Sequence, residues 1–173
     1  MIAAKVQDAL NGQINAVLYS AYLYFAVGSY FDSLQLSGLA SWLRQRSDGE
    51  LEQARQLIRF VNRRKGALEL REIPPPQCCY VNPLAAMDEL QRHEERLTGL
   101  LNDLMNLAVE QKDHATIAFF QESVRRQVDS ESAVAGIREK MHALCEGAGG
   151  VCLLDHEMTN AQGASDGPFT DRR

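Results

Sequence analysis

Polar side chains interrupt three apolar helical stripes in this sequence, and two of them are carboxylates. Glu50 and Gln53 lie three residues apart on one predicted helical face, where the stripe otherwise carries leucine and phenylalanine. Glu94 breaks a second stripe, and Gln127 with Ser130 breaks a third. Two buried carboxylates repel each other and lose hydration, and a divalent cation relieves both costs. If these breaks meet at one level of a helical bundle, they predict a metal site.

The same residues also have a simpler interpretation that needs no metal. Glu50 and Glu94 can form a buried hydrogen-bonded pair that shares a proton or is paired with Arg46. The amide and hydroxyl of the third stripe can be a polar contact within a core. Tyr24, on the stripe of the first helix, is typical of packing. Both interpretations stay open on the sequence alone.

Four long helices are predicted to position this polar layer. The first stripe places apolar or small residues at alternating spacings of four and three from Leu10 to Phe31, which is the seam of a bundled helix. Ser37 is the expected N-cap of the second helix, and Asn82-Pro83 is the expected start of the third. The predicted helices cover about 4–33, 38–65, 83–111 and 113–143, with a short fifth helix over about 151–161.

The connection between the second and third helices is predicted to be a long crossover. Residues 66–82 include three consecutive prolines from Pro74, which forbid helix. An extended segment of this length covers about 55 Å, whereas a helix of about 28 residues is about 42 Å long. We therefore expect an all-α, four-helix bundle with one long crossover and a short C-terminal fifth helix over 1–162. A disordered tail is expected over 163–173.

Composition argues against several classes of function. The chain has 173 residues, 45% of them hydrophobic, which suits one domain with a sizeable core. A net charge of −5 argues against a nucleic-acid partner, and no apolar run approaches the roughly 20 residues that span a membrane. No signal peptide is evident, so a cytoplasmic location with free thiols is expected. The roles of the tail and of four cysteines stay open, with the adjacent pair as an alternative surface metal contact: Cys78, Cys79, Cys145 and Cys152.

Other titratable side chains are not assigned to the polar layer. His93 precedes Glu94, but successive residues of a helix are rotated by about 100°, so we expect it to be exposed or at an interface. The four histidines form no i, i+3 or i, i+4 pair, and none is a predicted ligand. Arg55, Arg59 and Arg63 recur every four residues, either as a solvated face or as an anion-binding surface.

Three segments resemble the non-haem ferritins of bacteria, namely LNGQINAVLYSAYLYF, LSGLASWLRQRSDGELEQA and RHEERL. The helix order and the long crossover are also similar to a ferritin subunit, over about residues 4–160. Ferritins hold a di-iron centre inside such a bundle, so the resemblance implies iron as the metal. It also implies a shell of 24 subunits. It does not imply haem, because Leu51 stands where the haem-binding bacterioferritins have Met.

The resemblance gives family roles to part of the polar layer. Glu50 matches the bridging glutamate of the ferroxidase centre, and Glu94 matches the glutamate of the second iron site. Gln127 and Tyr24 match a glutamine and a tyrosine of the family. The main candidate iron ligands are thus Glu50, Glu94 and Gln127, and the weaker ones are Gln53, Ser130 and Tyr24, whose neutral atoms bind iron less well.

Other positions depart from the ferritin pattern. Val17 replaces the glutamate of the first helix, and Gln53 replaces the histidine that follows the bridging glutamate. The first iron site would therefore keep one of its three protein ligands. Ser130 replaces a further acid that many bacterial ferritins carry on the fourth helix. At the cavity surface, three acidic residues of the family are replaced by Gly49, Arg55 and Arg126, while Glu52 and Asp129 remain as acids.

From this resemblance we expect an iron-storage ferritin subunit with an impaired or absent ferroxidase centre and little or no enzymatic activity. Its expected partners are further copies of itself and a catalytic ferritin subunit with which it co-assembles. One alternative is a slow ferroxidase that uses a residual single iron site at Glu50, Glu94 and Gln127. A second is a shell that holds a non-iron, anionic cargo near Arg55 and Arg126.

Overall fold

The computed structural model describes residues 2–144 and 149–165, with the side chains of 161–165 excepted. All regular elements in these ranges are helices, which confirms the predicted all-α class. They are α1 (Ala4–Ser33), α2 (Ser37–Arg63), α3 (Pro83–Glu110), α4 (His114–Leu144) and α5 (Gly150–Ser165). Thus α5 extends beyond the predicted boundary at 162. Cys145 lies outside the described residues, and so do residues 166–173, which make up the rest of the predicted tail.

The four long helices form two hairpins, which contact each other through α1 and α3. α1 packs against α2, and α3 packs against α4, while α1 also contacts α3. α5 lies against α2 and α4 at one end of the bundle. Two apolar clusters fill the interior, one around Tyr24, Phe31 and Leu43 and the other around Ile14 and Phe120.

The crossover runs along the bundle, as predicted, and the structure places it against α1. Three amide side chains spaced four residues apart on α1 bond the backbone of the crossover: Gln7 to Ala67, Asn11 to Ala67 and Glu69, and Asn15 to Arg71 and Glu72. Farther along, the ring of Tyr80 lies 5.2 Å from that of Tyr30. These bonds satisfy backbone groups that have no helical partner, so the crossover is anchored although it contains no regular structure.

The two predicted helix starts have different outcomes. Asn82 is the N-cap of α3, because its side chain accepts the N–H of Ala85 at 2.8 Å. The prediction for Ser37 is wrong, since Ser37 is already the first residue of α2. There the side chain of Asp155 on α5 accepts the N–H of Leu39 at 2.8 Å. A carboxylate from a helix that is far away in the sequence thus caps the start of α2 in place of a local side chain.

A membrane-spanning helix, which must be both long and apolar, is not found among the described residues.

The contact between α2 and α5 depends on the absence of a side chain at Gly38. A Cβ there would lie 2.3 Å from the backbone oxygen of Asp155, so α5 would have to shift.

We expect Gly38→Ala to lower the free energy of unfolding by about 1–3 kcal/mol, as overpacking does. Gly49→Ala on the same helix is the control. Its Cβ meets nothing within 4 Å, so it should raise the free energy by roughly 0.5–1 kcal/mol. Urea unfolding measures both, and equal stabilities would contradict the prediction.

Candidate functional site

The Glu94 carboxylate is the centre of the polar layer, and it is fully buried. The Tyr24 hydroxyl from α1 donates to its Oε1, as does Ser130 Oγ from α4 at 3.1 Å. Gln127 Nε2 donates to Oε2 at 2.8 Å and to the backbone oxygen of Glu94 at 3.3 Å. These contacts suit an ionised carboxylate, which accepts hydrogen bonds and donates none.

Arg46 places a positive charge beside this carboxylate. Its Nη1 lies 3.7 Å from Glu94 Oε1 and donates to Ser130 Oγ at 2.5 Å. The guanidinium carbon lies 4.4 Å from the centre of the Trp42 ring, which holds the side chain in place. The pairing of Glu94 with Arg46, one of the alternatives left open by the sequence, is thus present in the structure. The Nε atom of Arg46 is buried without a hydrogen-bond partner among the described residues.

Glu50 occupies a different environment from Glu94. It is partly buried on the wall of a cleft of about 400 Å³ between α2 and α4. No hydrogen bond reaches its carboxylate from residues 2–144 or 149–160. Burial, together with the smaller effect of the Glu94 charge, raises the pKa of Glu50 to about 7, against still smaller opposing effects of Arg126 and Arg46. The two carboxylates therefore repel each other electrostatically. Of the two, Glu94 is the one whose carboxylate accepts hydrogen bonds from described residues.

Tyr24 is held in its neutral form by the same surroundings. Burial and the neighbouring Glu94 carboxylate raise the pKa of the Tyr24 phenol well above its ordinary value. A protonated phenol donates to a carboxylate. Tyr24 thus acts in this structure as a hydrogen-bond donor to Glu94.

The polar residues of α2 and α4 share the cleft, but α1 contributes no acid to it. Gln53, Gln127 and Ser130 line the cleft together with Glu50. Val17, in contrast, is 1% exposed and belongs to an apolar cluster. Among the described residues, no group of three or more His, Cys, Asp or Glu side chains is arranged to hold a metal ion. Two carboxylates, those of Glu50 and Asp129, line the cleft with neutral oxygens, while the neighbouring Glu94 carboxylate is already engaged.

The prediction that His93 is exposed or at an interface is wrong. Its side chain is 3% exposed, because α1 packs against that face of α3. His93 Nε2 lies 2.8 Å from the Ser20 hydroxyl, and the Tyr19 ring packs 5.3 Å away. Burial lowers the pKa of His93 to about 4, and the positive charge of Arg96 contributes. Ser20, a small polar residue within the apolar and aromatic stretch of α1, was the available signal for such a partner.

The buried histidine should make the fold sensitive to acid. Because the pKa of His93 falls from 6.5 to about 4 on folding, its neutral form favours the native state above pH 6.5. That stability is lost as pH falls towards 4. We expect His93→Gln to reduce the loss of unfolding free energy between pH 7.5 and pH 5 by roughly 1–2 kcal/mol. Urea unfolding at both pH values measures this. The exposed His114→Gln is the control, and an equal effect of both variants would contradict the prediction.

The chain is similar to known proteins over nearly its whole length. The family described as Ferritin-like domain matches residues 7–144. A bacterial non-heme ferritin of Bacteroides fragilis is 30% identical over 158 residues, which cover 91% of this chain and 98% of that protein. Two solved structures of Archaeoglobus fulgidus ferritin, an engineered closed form and an open-pore form, both have a TM-score of 0.87. They are 38% and 37% identical, and the alignments cover 91% of this chain with 96% and 97% of theirs.

Proposed function

This chain belongs to the ferritin family, and from that premise we propose that it is an iron-storage subunit whose own ferroxidase centre is impaired. The observation that carries the proposal is the state of Glu94, which matches the glutamate of the second iron site. Its carboxylate already accepts three hydrogen-bond donors and faces Arg46. An iron ion would have to displace these donors and would meet the guanidinium charge.

The first iron site is affected for a different reason. Val17, which stands where ferritins have a glutamate, is packed among apolar side chains and has no atom that binds metal. Gln53 offers an amide oxygen in place of an imidazole, which is a weaker ligand for iron. Glu50 and Asp129 are then the carboxylates that line the cleft, and Glu50 is the one that matches a ferritin iron ligand. Weak binding by Glu50 with Gln127 remains compatible with the proposal.

We also propose that the chain assembles into a shell of 24 subunits, alone or together with a catalytic ferritin subunit. The structural relatives include a ferritin described as closed and one described as open-pored, which supports a hollow assembly. Several large apolar side chains of α1 and the crossover are exposed in the single chain, as expected of an interface: Tyr22, Phe25, Leu70 and Val81. Native mass spectrometry tests the subunit number, and purification from the native source tests for a second subunit.

A cytoplasmic location is part of the same proposal. The described cysteines, Cys78, Cys79 and Cys152, are exposed and unpaired. Free thiols are usual in a reducing compartment. Fractionation of the native cells tests this location directly.

The deciding experiment is aerobic iron oxidation by the assembled, metal-free protein. Fe(II) is added at a few equivalents per subunit, and ferric absorbance is followed against a protein-free control. We expect the two rates to be equal, because the subunit lacks a complete centre. A fast, saturating phase would overturn the proposal. A slow excess that Glu94→Ala abolishes would favour the residual single-site ferroxidase. Native shells that contain phosphate or nucleotide and no iron would favour an anionic cargo.

A further inference from the structure

We propose that a groove between the C-terminal half of α2 and the start of α4 binds a small molecule that carries a phosphate group on a planar ring. The groove has a volume of about 400 Å³, and five side chains line it: Gln56, Arg59, Asn62, Arg63 and Phe119. It lies outside the polar layer around Glu94. The inference does not depend on iron storage or on the state of the ferroxidase centre.

The arginine stripe of α2 gives this end of the groove an excess of positive charge. Arg55 and Arg59 share one carboxylate, that of Glu52, at 3.4 and 2.7 Å. The hydrogen bond from Arg59 lowers the pKa of Glu52, so this acid is ionised at neutral pH. Arg63 forms no ion pair with any part of the chain that the structure describes. Of the two arginines that line the groove, Arg59 thus shares the Glu52 carboxylate with Arg55, and Arg63 has a guanidinium charge without an ion pair to the described residues. This surplus of positive charge suits a phosphate monoester, which carries a charge of about −1.5 to −2.

An aromatic wall makes the groove more than a basic surface. The Phe119 ring stacks on Phe60 with ring centres 4.1 Å apart and an angle of 17° between the planes. Phe120 packs against Phe119 edge to face at 5.3 Å. These contacts hold the Phe119 ring in a fixed orientation at the groove. A planar ring that stacks on such a wall gains contact area at little cost in side-chain entropy.

The amide side chains add directional contacts. Gln56 and Asn62 each carry a donor and an acceptor, which suit the polar edge of a heterocycle. A ligand with both a ring and a phosphate uses the amides, the aromatic wall and the arginines together. Inorganic phosphate leaves the wall unused, whereas an uncharged ring leaves the arginines unused. A nucleoside monophosphate therefore has the chemistry that fits this groove best.

Isothermal titration of the metal-free, assembled protein with adenosine 5′-monophosphate tests the inference. We expect it to bind about tenfold more tightly than either adenosine or inorganic phosphate. Arg63→Gln should weaken the binding of the nucleotide about tenfold. Arg125→Gln is the matched control, because Arg125 is an exposed arginine that pairs with Glu122 on α4 and does not line the groove. Phe119→Leu should weaken the binding of the nucleotide and leave that of phosphate unchanged.

Three results would overturn the inference. The first is no binding of the nucleotide. The second is equal affinity for the nucleotide and for phosphate, which would reduce the groove to a basic surface. The third is an equal loss in Arg63→Gln and Arg125→Gln, which would indicate attraction by net charge alone. Since no iron is present, each result is separate from the outcome of the oxidation experiment.

Discussion

A variant that combines Val17→Glu with Gln53→His is expected to be less stable than the natural chain without metal and to recover stability when metal is added. Val17 is 1% exposed in an apolar cluster, so a glutamate there is buried without a partner. Unpaired buried charge costs of order 3 kcal/mol. A metal ion that binds the new carboxylate and imidazole relieves this cost. At a hundredfold excess over its dissociation constant, the metal contributes about 2.7 kcal/mol.

The same double variant should oxidise Fe(II) faster than the natural chain. It restores the two first-site ligands that the ferritin pattern has and this chain lacks. We expect an increase in rate of about tenfold or more, which corresponds to at least about 1.4 kcal/mol of transition-state stabilisation. Ferric absorbance in air measures the rate, and thermal unfolding with and without Zn(II) measures binding separately from turnover.

A matched control separates metal binding from altered packing. Val17→Gln with Gln53→His adds a side chain of similar size without the charge. It should lose stability, but it should respond less to metal and gain little oxidation. If a correctly folded Val17→Glu, Gln53→His variant shows neither metal-dependent stabilisation nor faster oxidation, the assignment of these two positions to the first iron site is wrong.

The two carboxylates of the polar layer are expected to respond in opposite directions to the same substitution. Glu94→Gln should lower the free energy of unfolding by about 3–5 kcal/mol, because it leaves Arg46 without its counter-charge in a buried site. The new amide also turns N–H groups towards the donors of Gln127 or Ser130. Chemical unfolding of the metal-free protein measures the loss.

Glu50→Gln should instead stabilise the protein at high pH. Glu50 has a pKa of about 7 in the folded protein against an ordinary value of 4.5. The protonated form of Glu50 therefore favours the native state below pH 4.5. This contribution to the free energy of unfolding decreases as pH rises above 4.5 and is fully lost above pH 7. Allowing for its partial exposure, we expect a gain of roughly 2 kcal/mol at pH 8 and almost none at pH 4.5. A loss of stability at pH 8 would show that the Glu50 carboxylate has a favourable partner in the assembled protein.

The proposed storage role and the stability of the polar layer are linked through Arg46. Its guanidinium supplies a fixed positive charge next to Glu94, where a metal ion would otherwise compensate the buried carboxylate. The subunit can therefore fold with this acid ionised and without iron. This contact supports the proposed role of an iron-storage subunit whose own ferroxidase centre is impaired.

Much of the fold was predictable from the pattern of the chain. Apolar residues that recur every three or four positions specified the long helices, because such a face is stable only when it is buried. Residues 66–82 were too long and too rich in proline for a hairpin, so a crossover along the bundle followed. The pair Asn82-Pro83 identified the start of α3, since its capping bond is local. Glu50, Gln53, Glu94, Gln127 and Ser130 stood out as polar breaks in apolar stripes.

The partners of these residues were decided by the tertiary structure. Periodicity places a side chain on a face of its own helix, but the neighbouring helix determines what that face meets. His93 was expected outside and is buried, because Ser20 and Tyr19 of α1 cover it. The cap of α2 comes from Asp155, a residue far away in the sequence. Tertiary packing also gives the two carboxylates different environments. It surrounds Glu94 with hydrogen-bond donors and the Arg46 charge, and it leaves Glu50 on the wall of the cleft.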